Sequence, residues 1–392
     1  MRKIGVAERR ARLAVRHHLA APAGSAVETA AGLVALHATD AASVYLSATA
    51  RMATPTMEAV ERALYEERAL VRMLGMRRTV FVVPVELVPV VQAACADAIA
   101  VRERRKLVQL LTEAGIGTGA DVAGWLTEVG ESAVRALLAR GEALSVELSE
   151  DEPRLREQFV VNHGKKYEAK ISVASRLLFI LAAEGRIIRG RPRGSWISTQ
   201  YRWAPAETWL PDGLTTWSAA AAQTELIRRW LAAFGPGTVA DIKWWTGLSA
   251  GEVKRALAEI RPVEVELDDG ATGLVLAGDA EPVAPPEPWV ALLPALDPTP
   301  MGWTERGWYL GEHRAALFDR SGNIGPTVWC DGRIVGGWAQ RPDGEIAVRL
   351  LEDIGADRAK EVTVAAKRLG RRLGPARFAA KFRTPLEREL ST

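Results

Sequence analysis

One stretch, residues 219–278, constrains the fold more than any other part of the chain. "AAAAQTELIRRWLAAF" carries apolar residues at helical spacing, and Thr238 opens a second helix, "VADIKWWTG". Ser249 followed by Glu252 is a capping box that opens a third, "AGEVKRALAEI". "PVEVEL" and "TGLVLA" then alternate about an Asp-Asp-Gly turn, the pattern of a hairpin. Three helices followed by a two-stranded wing make a winged helix-turn-helix.

The same order recurs earlier. Residues 8–20 and 26–37 read as helices, the second opened by Ser25 with Glu28 as a capping box. Asp40 precedes "AASVYLSATARM", Thr56 precedes "MEAVERALYEERALVRML", and the strand-like "RRTVFVVP" ends at Pro84. Between these copies, residues 104–140 read as helices and "ISVASRLLFILAAEG" as a long amphipathic one. Two strand-like pieces follow it in "RIIRGRPRGSWISTQYRW". After the Pro-rich "EPVAPPEPW", residues 289–350 alternate apolar and polar positions, are rich in Gly and Trp, and hold a hairpin signal at Asp331–Gly332. A small barrel or curled sheet fits that texture, and a basic helical tail follows at 356–374. The expectation is an α+β chain of three tandem winged-helix motifs followed by a C-terminal β-barrel-like domain. The segments are 1–103, 104–210, 211–282 and 283–392.

At 392 residues the chain has room for two to four domains. With 48% hydrophobic and 25% charged residues it reads as soluble and globular. No apolar run is long enough to span a bilayer, and the basic N-terminus lacks the apolar core of a signal peptide, so a cytoplasmic protein with no membrane partner is expected. Two cysteines, Cys95 and Cys330, far apart, argue against a disulfide framework. His163 has Glu168 five residues on but no third ligand nearby, and neither a phosphate-binding loop nor a dinucleotide motif is present. No metal and no cofactor are expected.

The net charge is only +3, but it is segregated. Residues 154–203 hold eleven basic and three acidic side chains, and 358–383 hold nine and one. Such segregation suggests one face that binds a polyanion, although any single basic run is more often a solvated surface.

Within "LHATDAA", His37 stands at the expected end of the 26–37 helix and Asp40 just before the next. Punctuation accounts for both: histidine complements a helix C-terminus and aspartate caps an N-terminus, while Thr39 suits the turn. A catalytic pair is the alternative.

The segments "GLVALHATDAASVYLSATARM", "LVRMLGMRRTVFVVP", "GRPRGSWISTQYRW", "GTVADIKWWTGL" and "LLPALDPTPMGW" resemble the winged-helix DNA glycosylases of the AlkZ and YcaQ type. The resemblance spans almost the whole chain. It implies three tandem winged-helix motifs, a β-barrel-like domain and removal of alkylated purines, of the N7-alkylguanine kind, from double-stranded DNA. In some members that activity serves self-resistance to a genotoxin. The family's catalytic tripeptide, Gln-x-Gln or Gln-x-Asp, falls on His37 and Thr39, with Asp40 next; neither glutamine is present. The residues implied in catalysis are therefore His37, Thr39 and Asp40, in a monomeric, monofunctional glycosylase. A non-catalytic DNA-, lesion- or drug-binding protein is the other reading that the missing glutamines leave open. "DPTPMGW" reads as a turn closing the barrel.

For DNA contact, Arg189, Arg191 and Arg193 fall on the expected wing tip, interleaved with Trp196, Tyr201 and Arg202. Arginine grips phosphate with paired hydrogen bonds, and phosphate contacts dominate nucleic-acid affinity. The aromatics serve equally well as core of the wing strands. Lys165 and Lys166 lie in a polar loop, and Arg51, Arg77 and Arg78 flank the first unit.

Overall fold

The computed structural model describes residues 1–117 and 121–392. They form a mixed α+β protein of many helices and small sheets in two compact units. One unit holds 1–70, 81–84 and 223–392; the other holds 71–80 and 85–222. None of the described helices is long and apolar enough to cross a membrane.

In the first unit, helix Val6–Arg16 is followed by the shorter Ala26–Gly32, whose N-cap Ser25 accepts the Glu28 N–H. The helix expected over 26–37 ends early. Val34 takes φ 64°, which an α-helix does not contain, and the chain turns into strand Leu36–His37. Leu36 lies opposite Val82 and His37 opposite Phe81, antiparallel. Asp40 then caps helix Ala41–Thr49, which is buried along its whole length, and Thr56 caps Met57–Tyr65.

All elements expected at 219–278 are present. They are helices Ala219–Phe234, Val239–Thr246 and Ala250–Ile260, then strands Val263–Glu266 and Thr272–Val275. Thr238 with Asp241 and Ser249 with Glu252 form reciprocal capping boxes, and Gly247 ends the middle helix at φ 75°. The hairpin gains a strand that periodicity does not reveal, because Arg2–Lys3 adds in parallel to Val263–Glu266.

Beyond the linker, strands Val290–Leu293, Thr327–Cys330, Arg333–Gln340 and Ile346–Leu350 form an antiparallel sheet in sequence order. The barrel expected here does not close: the two outer strands share no hydrogen-bonded ladder. Helix Ala356–Leu373 instead packs against both outer strands, so the sheet curls around it. Trp329 and Trp338 are buried in the sheet. The Trp338 indole N–H donates to the Leu293 carbonyl.

The second unit packs helices Asp97–Glu113, Val122–Arg140 and Val173–Ala183 around Leu107, Leu126, Val129, Leu177 and Leu181. The helical reading of 104–140 includes 118–120, which lie outside the described residues. Two hairpins complete this unit: Gln158–Val161 with Ala169–Ser172, and Ile187–Pro192 with Tyr201–Pro205.

Candidate active site and nucleic-acid interface

Helix Ala41–Thr49 carries the candidate loop at its N-terminus, and a buried polar network fixes the helix. Ser43 Oγ donates to the Ala295 carbonyl and Ser47 Oγ to Asp297 Oδ2. Just past the helix, Arg51 grips Asp297 with both terminal nitrogens, Nη1 to Oδ2 at 2.8 Å and Nη2 to Oδ1 at 2.7 Å. Arg51 Nη2 also donates to Thr299 Oγ1 and its Nε to the His17 carbonyl. His17, fully buried, holds Thr299 Oγ1 through Nδ1 and the Ala233 carbonyl through Nε2. A neutral imidazole with its proton on Nε2 satisfies both, taking the Thr299 hydroxyl proton at Nδ1. Accordingly, burial first and the Arg51 charge second push the His17 pKa well below its ordinary value.

This geometry corrects two expectations. Arg51 does not offer itself to DNA: both ends of its pair with Asp297 are fully buried, and no phosphate reaches it there. "DPTP" acts as a clamp, with Asp297 and Thr299 holding the start of the chain, rather than only as a turn in the sheet domain.

In the loop itself, His37 lies on a strand and not at a helix end, so the dipole argument for it lapses. Its ring sits 5.2 Å from that of Phe81, edge to face, and it is 8% exposed. Thr39 is half-buried. Asp40 is buried, and both of its oxygens accept backbone N–H groups: Oδ1 from Ala42 at 3.1 Å and Oδ2 from Lys381 at 3.0 Å. The Lys381 ammonium reaches the Thr39 carbonyl at 3.4 Å. The capping reading of Asp40 therefore holds, and the fixed carboxylate stands three residues from the imidazole. A neutral imidazole accepts a proton near neutral pH, and a carboxylate that accepts two N–H groups has lone pairs left for a further donor.

In the second unit the arginines expected on one wing tip separate. Arg189 is mostly buried in its strand, with its guanidinium 5.4 Å from the Trp203 ring and 5.9 Å from the Tyr201 ring. Burial first, and then the Arg72 charge, lower its pKa. Arg72 is almost fully buried, stands 4.5 Å over the Tyr201 ring and donates to the Tyr201 hydroxyl; sequence reading missed it. Arg191 and Trp196 are half-buried, and Arg193 is exposed at the turn, its N–H closing onto the Gln200 carbonyl. Arg202 pairs with Glu147 at 3.4 Å. Lys165 and Lys166 are exposed in the turn of the other hairpin. Arg77 and Arg78 both adopt left-handed φ, 53° and 59°. Arg78 pairs with Glu103 at 2.9 Å and lies over Phe179.

Among the described residues no three metal-ligating side chains gather. His163 pairs only with Glu168, on an exposed loop. Cys330 is buried, and that burial, with Asp331 beside it, pushes its thiol up to about 11, which rules it out as a thiolate nucleophile at neutral pH.

An α+β chain with basic hairpins and a rigidly mounted polar loop has the features of a protein that acts on DNA. Residues 30–372 match the family model described as DNA glycosylase AlkZ-like, and the chain belongs to that family. A curated relative, the interstrand DNA cross-link repair glycosylase of Streptomyces sahachiroi, is 28% identical over 210 residues. That alignment covers 52% of this chain and 56% of the relative, so it spans little more than half of that protein's length. The solved structure of Streptomyces sahachiroi DNA glycosylase AlkZ superposes with a TM-score of 0.73 at 22% identity, covering 96% of this chain and 98% of that one. It shares the fold.

Proposed function

We propose that this protein is a monofunctional DNA glycosylase that hydrolyses the N-glycosidic bond of N7-alkylguanine-type purines in duplex DNA. It works as a monomer without metal or cofactor. The observation that carries the reading is the family match across 30–372, which includes the His37–Asp40 loop. The three winged-helix segments (1–103, 104–210 and 211–282) and the β-rich segment 283–392 are part of the same proposal.

The chemistry asks little of the loop. An N7-alkylated guanine is cationic and leaves as a neutral base, while positive charge develops on the sugar. The fixed Asp40 carboxylate stabilises that charge. His37 and Thr39 position the water that adds to C1′, and the imidazole takes up its proton. Arg191, Arg193, Lys165, Lys166 and Arg202 contact the backbone, with Arg77 and Arg78 beside them, while Arg189, Trp196 and Tyr201 shape the hairpin that presents them. The relative's name adds guanines joined in interstrand cross-links to the substrates worth testing, and protection against a self-made genotoxin is the matching cellular role, inside the cytoplasm at the nucleoid.

A second reading, a DNA- or lesion-binding protein without catalysis, is favoured by the absence of both family glutamines from positions 37 and 39. Single-turnover incubation with a duplex carrying one N7-methylguanine separates the two. Alkali-labile sites that accumulate faster than in buffer support the glycosylase; tight binding with no such sites supports the binder.

A further inference from the structure

Nine basic side chains lie between Arg358 and Arg383, and the structure divides them sharply. Arg358, Lys360 and Arg383 pair with Glu361, Asp357 and Glu387. Arg372 and Arg377 donate to backbone carbonyls. Lys367, Arg368 and Arg371, on the C-terminal half of helix Ala356–Leu373, are exposed and make no hydrogen bond or ion pair among the described residues. Lys381 is exposed too; its ammonium meets the Thr39 carbonyl and lies 5.7 Å from the Phe382 ring centre, with no carboxylate partner among the described residues.

Their placement is set by helix Ala41–Thr49. Arg372 donates to the carbonyl of Thr49, the last residue of that helix, at 3.0 Å. Lys381 donates its backbone N–H to Asp40, the N-cap. The chain from 372 to 381 therefore runs the length of the helix back to the catalytic loop, about 13 Å for nine residues at ~1.5 Å each. A DNA strand carries a phosphate about every 3.4 Å of axis, so about four phosphates span that length. Lys381 stands at the loop end of that path, and Arg371, with Lys367 and Arg368 a turn earlier on helix Ala356–Leu373, precedes its other end; none of the four has a carboxylate partner among the described residues.

We propose that Lys367, Arg368, Arg371 and Lys381 form a phosphodiester track that leads one DNA strand to the His37–Asp40 loop, with Lys381 gripping the phosphate beside the lesion. This proposal rests on the glycosylase reading above. Its partner is the DNA backbone and not the bases, because long, exposed cations without carboxylate partners read charge rather than sequence.

The test is the salt dependence of duplex binding by the full chain, followed by fluorescence anisotropy. The double variant Lys367→Gln/Arg371→Gln should lower the slope of log K against log salt by about 1.8, and Lys381→Gln by about 0.9, at unchanged melting temperature. Lys381→Arg should restore the slope. Lys360→Gln, which removes a cation already paired with Asp357, is the control and should leave the slope as it is. Slopes equal to wild type in the first two variants overturn the track, as does an equal fall for Lys360→Gln, which would reduce the effect to net charge. A wild-type chain that binds duplex DNA without excising bases removes the glycosylase reading and leaves the track to be judged by these slopes; one that does not bind overturns both.

Discussion

Arg51 and Asp297, 246 residues apart in sequence, meet in a fully buried, two-pronged ion pair. The pair ties the end of the helix that starts at the His37–Asp40 loop to the segment that enters the C-terminal sheet domain. Ser47 and Thr299 complete its hydrogen bonds, which is the condition under which a buried pair is tolerated at all.

Removing one partner should therefore be far worse than removing both. Arg51→Ala leaves a buried, uncompensated carboxylate and should cost about 3–5 kcal/mol in urea unfolding. The combination Arg51→Met with Asp297→Leu should recover most of that loss. The salt slope of DNA binding should not change in the folded double variant, since Arg51 lies in the core.

His17 makes stability depend on pH in a stated direction. Its folded pKa lies well below its unfolded one, near 6.5, because burial and Arg51 disfavour the charged form. The unfolded chain thus binds the proton first. Its contribution is fully present above about pH 6.5 and is lost as pH falls below it, at up to about 1.4 kcal/mol per pH unit. Chemical unfolding at pH 7.5 and 5.5 should show this fall, and His17→Gln should flatten it.

At the loop the two candidate residues should separate. His37→Ala should slow single-turnover excision on the order of 10²-fold with DNA affinity nearly intact. Asp40→Asn should lose excision and stability together. An asparagine offers one oxygen where the carboxylate serves two N–H groups, and it turns its amide toward the other, at a cost of about 1–3 kcal/mol. Unchanged excision by His37→Ala would take the imidazole out of the mechanism.

The exposed hairpin cations should behave as phosphate contacts. Arg193→Ala, and Lys165→Ala with Lys166→Ala, should each lower the salt slope by about 0.9 per charge removed. Arg78→Ala should do less, since its guanidinium already pairs with Glu103. Anisotropy titrations at several salt concentrations measure both.

Local signals carried far in this sequence, and non-local ones did not. The capping residues Ser25, Asp40, Thr56, Thr238 and Ser249 are all where side-chain chemistry places them, because a cap is decided within four residues. The early end of the second helix was not legible. Apolar residues continue through Leu36 at helical spacing, and the pairing with Phe81 and Val82 decided against them. Arg51 looked like a surface cation for the same reason: its partner lies in another part of the chain. Lys381 had only its charge to distinguish it, and its place beside Thr39 comes from a chain path no periodicity describes.

The strand Arg2–Lys3 has a consequence for how the molecule is made. It completes the hairpin sheet by lying beside Val263–Glu266, so these two residues wait for a partner some 260 positions later in the chain. At about 5–20 residues per second, that interval is about 13–50 s on the ribosome. During it helix Val6–Arg16 lacks Asp279, which Arg12 and Arg16 grip in the finished protein. The N-terminal region is thus among the last parts to settle, and a fusion partner placed ahead of Arg2 would act on assembly before it acted on DNA.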